Sequence, residues 1–175
     1  IYIALSAALA LGDTVRVRVA YGIGRRSPES SRQSAYLSTL MAGVTTLSAA
    51  LVLWLYPEAI VGIYLDTTNP ENETVLRLSV TMSVYAGMFL FLDGVLLVLA
   101  NAIRGLRDTR SPLWISMAGY WAVGIGSGVW LCFPLGYGAE GLWWGLVAGV
   151  LFSSILMFRR LQTRIADVAQ SLTSP

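Results

Sequence analysis

Residues 89–100 read FLFLDGVLLVLA, an apolar run that is interrupted only by Asp93 and Gly94. The run belongs to a longer apolar segment over residues 78–101. About 20 consecutive apolar residues are enough for a helix to cross the hydrocarbon layer of a bilayer. The segment therefore predicts a membrane-spanning helix that carries one carboxylate near its middle.

The composition of the whole chain is that of a membrane protein. The 175 residues are 55% hydrophobic and 13% charged, and their mean hydropathy is +0.64. Soluble domains carry about 25% charged residues. The net charge of +2 gives no reason to expect a nucleic-acid partner. Cys132 is the only cysteine and there is no histidine, which excludes an internal disulfide and a Cys/His metal cluster.

Five apolar segments predict an all-α, polytopic transmembrane bundle. They cover residues 1–24, 35–55, 78–101, 113–133 and 141–157, and a tail follows over residues 158–175. The first segment is apolar from its first residue and lacks the basic flank of a signal peptide. We therefore expect it to be the remainder of a helix, and the chain to be part of a larger protein. Helical spacing of Leu161, Ile165 and Val168 predicts a tail that either lies on the membrane surface or extends the last helix.

The distribution of arginine predicts the orientation of the bundle. Nine of the twelve basic residues fall in three connections, at residues 24–33, residues 104–111 and the tail from residue 158. The connections at residues 65–75 and 134–140 contain none. Basic residues mark cytoplasmic loops. We therefore expect a multi-pass protein of the cell membrane with a cytoplasmic C-terminus.

Asp93 is the first candidate for a functional residue. It lies eleven residues before Arg104, which places it about 16 Å from the inner boundary of the membrane. An ionised aspartate at mid-bilayer costs about 2.5–3.5 kcal/mol on insertion scales. The side chain should face the bundle interior or a watery cavity, where it is protonated, paired with an arginine or holding a cation. A carboxylic acid that only hydrogen-bonds to a neighbouring helix is the structural alternative.

Aromatic residues near Asp93 are candidates for cation or substrate binding. Phe89 and Tyr85 lie one and two turns before Asp93 on the same helix face. Tyr120 and Trp121 on the next span are candidates of the same kind. Aromatic faces attract cations within about 6 Å. For each aromatic taken singly, packing against lipid or core is the alternative.

Three local patterns predict structural contacts. Gly141, Gly145 and Gly149 share one helix face, which predicts close packing inside the bundle rather than a dimer seam. The pair Ser111 and Pro112 predicts an N-cap followed by the first helical residue. Asp13 lies three residues before Arg16, which predicts a local ion pair, while Arg18 points to another side of the helix.

Two segments of the chain resemble the multidrug and toxic compound extrusion (MATE) transporters. Residues 14–24, TVRVRVAYGIG, resemble the end of the family's eighth helix; the matching residues are Arg16, Val17, Gly22 and Gly24, while Arg18 stands where the family has glycine. Residues 93–112, DGVLLVLANAIRGLRDTRSP, resemble the tenth helix and its following loop, with matches at Asp93, Arg104, Gly105, Asp108 and Thr109 and an isoleucine at 103 for the usual leucine. The resemblance extends over almost the whole chain, from the eighth to the twelfth helix.

The resemblance implies a function as well as a fold. It implies the C-terminal half of a two-lobe antiporter that exports organic cations in exchange for Na⁺ or H⁺, with Asp93 as the acid tied to coupling. The implied partners are the organic cation, membrane lipid and the N-terminal lobe of the same protein, and no cofactor besides the coupling ion. A lipid-linked oligosaccharide flippase of the same superfamily is the alternative, although it favours a more basic cavity. An intramembrane enzyme is disfavoured by the single mid-membrane acid and the lack of histidine, and a purely structural membrane subunit is a further alternative.

Overall fold

The computed structural model of the chain describes residues 2–65 and 72–173, and all regular structure within these residues is helical. The elements are α1 (Tyr2–Gly24), α2 (Pro28–Leu55), α3 (Pro57–Val61), α4 (Glu73–Gly105), α5 (Arg110–Met117), a π-helical segment (Ala118–Ile125), α6 (Gly126–Cys132) and α7 (Gly138–Thr173). The predicted all-α fold is confirmed. Most of the connection at residues 65–75, which contains no basic residue, lies outside the described residues, since these omit residues 66–71.

Within the described residues, four helical stretches are long and apolar enough to cross a membrane. They are Pro28–Leu55, Glu73–Gly105, Arg110–Cys132 and Gly138–Ser171, so the chain is a multi-pass membrane protein. Helix α1 is a continuous 23-residue helix, but it contains Asp13, Arg16 and Arg18 and is not among the four. The first of the five predicted spans therefore stays a prediction.

Helices α2, α4 and α7 are longer than the apolar segments from which they were predicted. Helix α2 begins at Pro28 rather than at residue 35, and α7 runs unbroken for 36 residues, which is about 54 Å at 1.5 Å per residue. The predicted tail is thus an extension of the last helix. Leu161 and Ile165 of this extension are buried in the same core cluster as the membrane-spanning helices. Apolar length predicts the part of a helix within hydrocarbon, whereas backbone hydrogen bonding continues beyond it.

Helix α4 is the centre of the bundle and packs against α1, α2 and α7. The largest buried side chains of the core include Val15, Val19, Leu99, Ile103, Val150 and Met157. Helix α2 contributes a stripe of small buried residues, which are Ser31, Ala35, Ser38, Ala42, Thr46 and Ala50. Small side chains at three- and four-residue spacing allow two helices to approach closely. Close backbone contact therefore holds α2 against its neighbours.

The glycine face of α7 packs within the chain, as its spacing predicted. Gly149 lies so close to the π-helical segment that an added Cβ would be 2.7 Å from the Cα of Gly124. A Cβ at Gly141 would be 2.8 Å from the backbone nitrogen of Cys132 at the end of α6. Gly145 likewise contacts the backbone of Gly128. The three glycines thus allow α7 to pack closely against the π-helical segment and α6.

The three arginine-rich connections lie at one end of the bundle. Gly105 at the end of α4 packs against the carbonyl of Arg16 near the end of α1, where a Cβ would be 2.7 Å from that oxygen. Asp108, which follows α4, contacts Arg160 of α7. At the same end the ring of Tyr36 in α2 lies 6.1 Å from that of Phe158 in α7. The arrangement of the helices therefore gathers the basic residues that the sequence distributes over three separate connections.

Candidate functional site

Asp93 is half-buried in the middle of α4 and is held by the π-helical segment. The hydroxyl of Tyr120 donates a hydrogen bond to Oδ1 of Asp93. Of the predicted states of Asp93, pairing with arginine is not seen, since no arginine of the described chain lies within ion-pair distance of it. A tyrosine hydroxyl can partner the carboxylate without neutralising its charge. The Tyr120 hydroxyl is therefore an uncharged partner, and no ion pair satisfies Asp93 among the described residues.

A cavity of about 300 Å³ opens beside Asp93. Its walls are apolar apart from the carboxylate, and the lining residues are Leu5, Ala86, Phe89, Leu90, Asp93, Trp143 and Leu146. Ligand sites for small molecules are of this kind, mostly apolar with few polar groups, and begin at about 300 Å³. A larger cavity of about 400 Å³ lies between the start of α2 and the end of α7, away from Asp93. The cavity beside Asp93 brings a carboxyl group in an apolar helix together with the aromatic side chains of Phe89 and Trp143.

The predicted aromatic neighbours of Asp93 separate into two groups. Phe89 lines the cavity with Asp93. Tyr85 is not among the lining residues of this cavity; its hydroxyl donates to Oε2 of Glu140 over 3.1 Å, and its ring meets the ring of Trp144 edge-on at 5.6 Å. Of the predicted group on α4, Phe89 and Asp93 therefore line one cavity together. Tyr85 instead takes part in the contact between α4 and the start of α7.

The next span places its two aromatic candidates differently. Tyr120 reaches Asp93, whereas Trp121 is 69% exposed in this chain. Trp143 of α7, which lines the cavity, was missed by the sequence analysis. Trp143 lies in an apolar run, and nothing in its spacing distinguishes it from a residue that only packs in the core.

The motif residues of α1 have separate structural roles. Gly22 is buried, and a Cβ there would be 3.0 Å from the backbone nitrogen of Ser31 in α2. The Ser31 hydroxyl donates to the carbonyl of Val19 over 3.0 Å, which ties the start of α2 to α1. Apart from the backbone of its own helix and its chain neighbours, nothing in the described part of the chain lies within 4 Å of a Cβ built on Gly24, so this structure gives no packing reason for that glycine. Arg16 lies 3.7 Å from Asp13, which confirms the predicted local pair.

The motif residues after Asp93 shape the end of α4. Gly105 allows the contact with α1, while the exposed Arg104 donates to Oδ1 of Asn101 over 3.3 Å. Thr109 is exposed and directly precedes α5. The expectation that Ser111 caps this helix was wrong, because α5 begins at Arg110. Asp108 does the capping, since its Oδ1 accepts the backbone N–H of Ser111 at 3.1 Å.

Asp108 joins this connection to α7 through charge-assisted hydrogen bonds. It is only 8% exposed, and its Oδ2 accepts from Nη2 of Arg160 at 2.7 Å and from the hydroxyl of Ser111 at 2.8 Å. Burial alone would raise the pKa of Asp108, but the hydrogen bonds from Ser111 and Arg160 and the charge of Arg160 outweigh it and lower the pKa overall. No local sequence pattern indicates Arg160, because 52 residues separate it from Asp108.

Comparison with known proteins agrees with both motifs. Residues 1–130 match the MatE family model. The chain is 40% identical over 167 residues to "Multidrug resistance protein NorM" of Burkholderia vietnamiensis, which covers 95% of the chain and 36% of that protein. It is 38% identical over 165 residues to "Probable multidrug resistance protein NorM" of Burkholderia pseudomallei, covering 94% of the chain and 35% of the relative. The chain thus spans about a third of the length of these relatives.

A solved structure has the same fold. The crystal structure of the eukaryotic MATE transporter AtDTX14 superposes with a TM-score of 0.74 at 18% sequence identity, over 95% of this chain and 37% of that one. At this identity the likeness concerns the fold alone. Together with the family match over residues 1–130, it agrees with the resemblance carried by the segments around Arg16 and Asp108. The chain belongs to the MatE family of transporters.

Proposed function

We propose that the chain is part of a secondary active antiporter that exports organic cations or drugs in exchange for Na⁺ or H⁺. The proposal rests on the position of Asp93. Among the residues that line the cavity, it is the one ionisable side chain, and the other walls are apolar and partly aromatic. The names of the NorM relatives, which are multidrug resistance proteins, support the same substrate class. Apolar walls accept the body of a lipophilic cation, and the carboxylate attracts its charge.

The physical basis of exchange is competition for one carboxylate. A bare charge at this depth is costly, so Asp93 is more stable when a proton, a metal cation or an organic cation neutralises it. Two cations cannot share a single carboxylate in a small cavity without repelling each other. Entry of the coupling ion therefore favours release of the drug, and binding of the drug favours release of the ion.

We also propose how the whole protein is oriented in the membrane and completed by a second lobe. The arginine-rich end of the bundle would face the cytoplasm, because cytoplasmic loops are enriched in basic residues. An N-terminal lobe of the same protein would complete the transport pathway, in keeping with the greater length of the relatives. A lipid-linked oligosaccharide flippase would need basic groups in the cavity for an anionic substrate, whereas the charged lining residue beside Phe89 is an acid.

Cellular export of a dye tests this function. The full-length protein is expressed in bacteria that lack their main efflux pumps, and the accumulation of the organic cation ethidium is followed by fluorescence. We expect lower accumulation than in cells with an empty vector, and loss of the difference when the membrane gradients are dissipated. A neutral dye of similar size should accumulate equally in both. Equal ethidium accumulation with normal membrane expression would contradict export and favour a structural subunit.

A further inference from the structure

A second cavity, here named the arginine pocket, lies at the basic end of the bundle. Its volume is about 250 Å³. The connection between α4 and α5 forms one side and α7 forms the other, and the lining residues are Arg107, Asp108, Thr109, Arg110, Arg160 and Arg164. Neither the proposed export mechanism nor the family motif accounts for the four guanidinium groups gathered here.

The positive charge of the arginine pocket exceeds what its acids neutralise. Asp108 lies 2.7 Å from Arg160 and 3.5 Å from Arg164. Asp167, outside the pocket, lies 3.7 Å from Arg164. Arg107 and Arg110 have no carboxylate within 4 Å in the part of the chain that the structure describes. Four arginines thus share two carboxylates, which leaves an excess of about two positive charges at neutral pH.

One donor of the arginine pocket is buried without a hydrogen bond. Although Arg164 Nε lies near Asp108, it has no hydrogen-bond partner among residues 2–65 and 72–173. A buried donor without a hydrogen bond is unfavourable, and more so when the group is charged. The Arg164 side chain as a whole lines the pocket and is 29% exposed, so an anion in the pocket would meet its exposed part and its charge rather than this buried Nε.

Arg107 stands just after the end of α4, where the backbone turns. Its φ is 61°, in the left-handed region. The N–H groups of Arg107 and Asp108 close the end of α4 on the carbonyls of Arg104 and Ile103, at 3.0 and 3.3 Å. Glycine is the usual residue at this position of a helix end, because most side chains are disfavoured in the left-handed region. The arginine is tolerated at this cost, and its side chain lines the pocket.

We propose that the arginine pocket binds the phosphate group of an anionic ligand. Guanidinium groups form planar pairs of hydrogen bonds that match the oxygens of phosphate. The pocket lies beside membrane-spanning helices, and basic pockets of this kind can hold anionic lipid head groups. An anionic phospholipid and free phosphate offer the same chemistry, and both are sources of the group. Bound phosphate links the α4–α5 connection to α7 and stabilises this end of the bundle.

Thermal stability of the purified full-length protein tests the proposal. The melting temperature is measured in detergent during titration with short-chain phosphatidylglycerol, short-chain phosphatidylcholine or inorganic phosphate, at constant ionic strength. We expect a saturable rise with phosphatidylglycerol and none with phosphatidylcholine. A rise with inorganic phosphate of equal affinity identifies the phosphate group alone as sufficient, whereas a rise with phosphatidylglycerol only identifies the lipid as the source.

Matched arginine variants locate the effect. Arg107→Gly should keep or increase basal stability, because glycine adopts positive φ readily, and should weaken the apparent affinity about fivefold. The double variant Arg107→Gly with Arg110→Gln should bind with an apparent affinity about thirtyfold weaker than that of the wild type. Arg159→Gln, which removes an exposed charge of α7 outside the pocket, is the control and should respond like the wild type. The proposal is wrong if neither anion stabilises the wild type, if phosphatidylcholine is as effective, or if Arg159→Gln loses the response equally.

Discussion

The hydroxyl of Tyr120 donates a hydrogen bond to Oδ1 of Asp93, which joins the π-helical segment to the middle of α4. π-Helical turns are rare and often occur at functional sites. The bond offers the carboxylate a partner in a cavity whose other walls are apolar. A hydroxyl does not neutralise Asp93 as an arginine would, so a cation can still be attracted to the remaining oxygen.

Replacement of Tyr120 by phenylalanine tests the role of this bond. A hydrogen bond to a charged group contributes about 1.5 kcal/mol or more. The bond is weaker once a cation neutralises the carboxylate, so its loss destabilises the empty state more than the occupied one. We expect Tyr120→Phe to bind a fluorescent organic cation about tenfold more tightly and to export it more slowly, because release restores a less stable state. Equilibrium binding and dye export in the full-length protein measure both effects. Tyr137→Phe, at an exposed tyrosine, is the control, and unchanged affinity in Tyr120→Phe would contradict this role.

The glycine face of α7 predicts a sharp contrast between two alanine variants. Gly149→Ala forces a methyl group against the backbone of the π-helical segment and should reduce the free energy of unfolding by about 1–3 kcal/mol. Gly126→Ala meets no atom within 4 Å and should be neutral or more stable by about 0.5–1 kcal/mol, because alanine favours helix over glycine. Thermal unfolding in detergent compares them. Equal stability of the two variants would mean that α7 does not pack as described.

The contact between Asp108 and Arg160 predicts a pH-dependent contribution to stability. The pKa of Asp108 in the folded protein is lower than its ordinary value of 3.8, so its contribution is present above about pH 4 and is lost as the pH falls through the lower folded value. We expect Asp108→Asn to be less stable than the wild type by about 1–3 kcal/mol at pH 7. The difference should close below about pH 3.8.

Melting temperatures between pH 3 and pH 8 measure this difference. Asp167→Asn serves as control, because Asp167 is exposed and 3.7 Å from its partner Arg164, and exposed pairs contribute little. A difference between Asp108→Asn and the wild type that stays constant down to pH 3 would show that the ionised carboxylate is not its source.

Labelling of introduced cysteines tests the orientation. Cys132 is first replaced by serine, since it is partly exposed. A cysteine at Asn72 should then react with an impermeant thiol reagent applied from outside intact cells, and a cysteine at Thr109 should react only after the membrane is permeabilised. Reaction of the Thr109 cysteine from outside would reverse the proposed orientation. The Cys132→Ser protein without an introduced cysteine measures the background labelling.

The sequence was sufficient for features that depend on composition or short spacing. The length of the apolar segments predicted the helices, and four-residue spacing predicted the glycine face of α7. Asp93 was conspicuous because a charge in an apolar run is costly. The helix ends were less well predicted, since Ser111 had the composition of an N-cap but Asp108 supplied the hydrogen bond.

The features that the sequence left undetermined are contacts between distant segments. Tyr120 was one of several aromatic candidates, and only the fold selects it as the partner of Asp93, 27 residues away. Tyr85 shares the helix face of Asp93 yet contacts Glu140, because the start of α7 lies beside that turn. The link from Asp108 to Arg160 likewise depends on α7 extending beyond its apolar segment.

Asp93→Asn in the full-length protein, reconstituted into liposomes, tests the central claim most directly. Uphill movement of a fluorescent organic cation is driven by an imposed Na⁺ or H⁺ gradient. We expect Asp93→Asn to fold with at least wild-type stability, since a costly charge is removed, and to lose gradient-driven transport. Asp93→Glu should retain part of it, and Asp167→Asn should retain all. Transport by Asp93→Asn at the wild-type rate against a gradient would contradict the claim that this carboxylate couples the two cations.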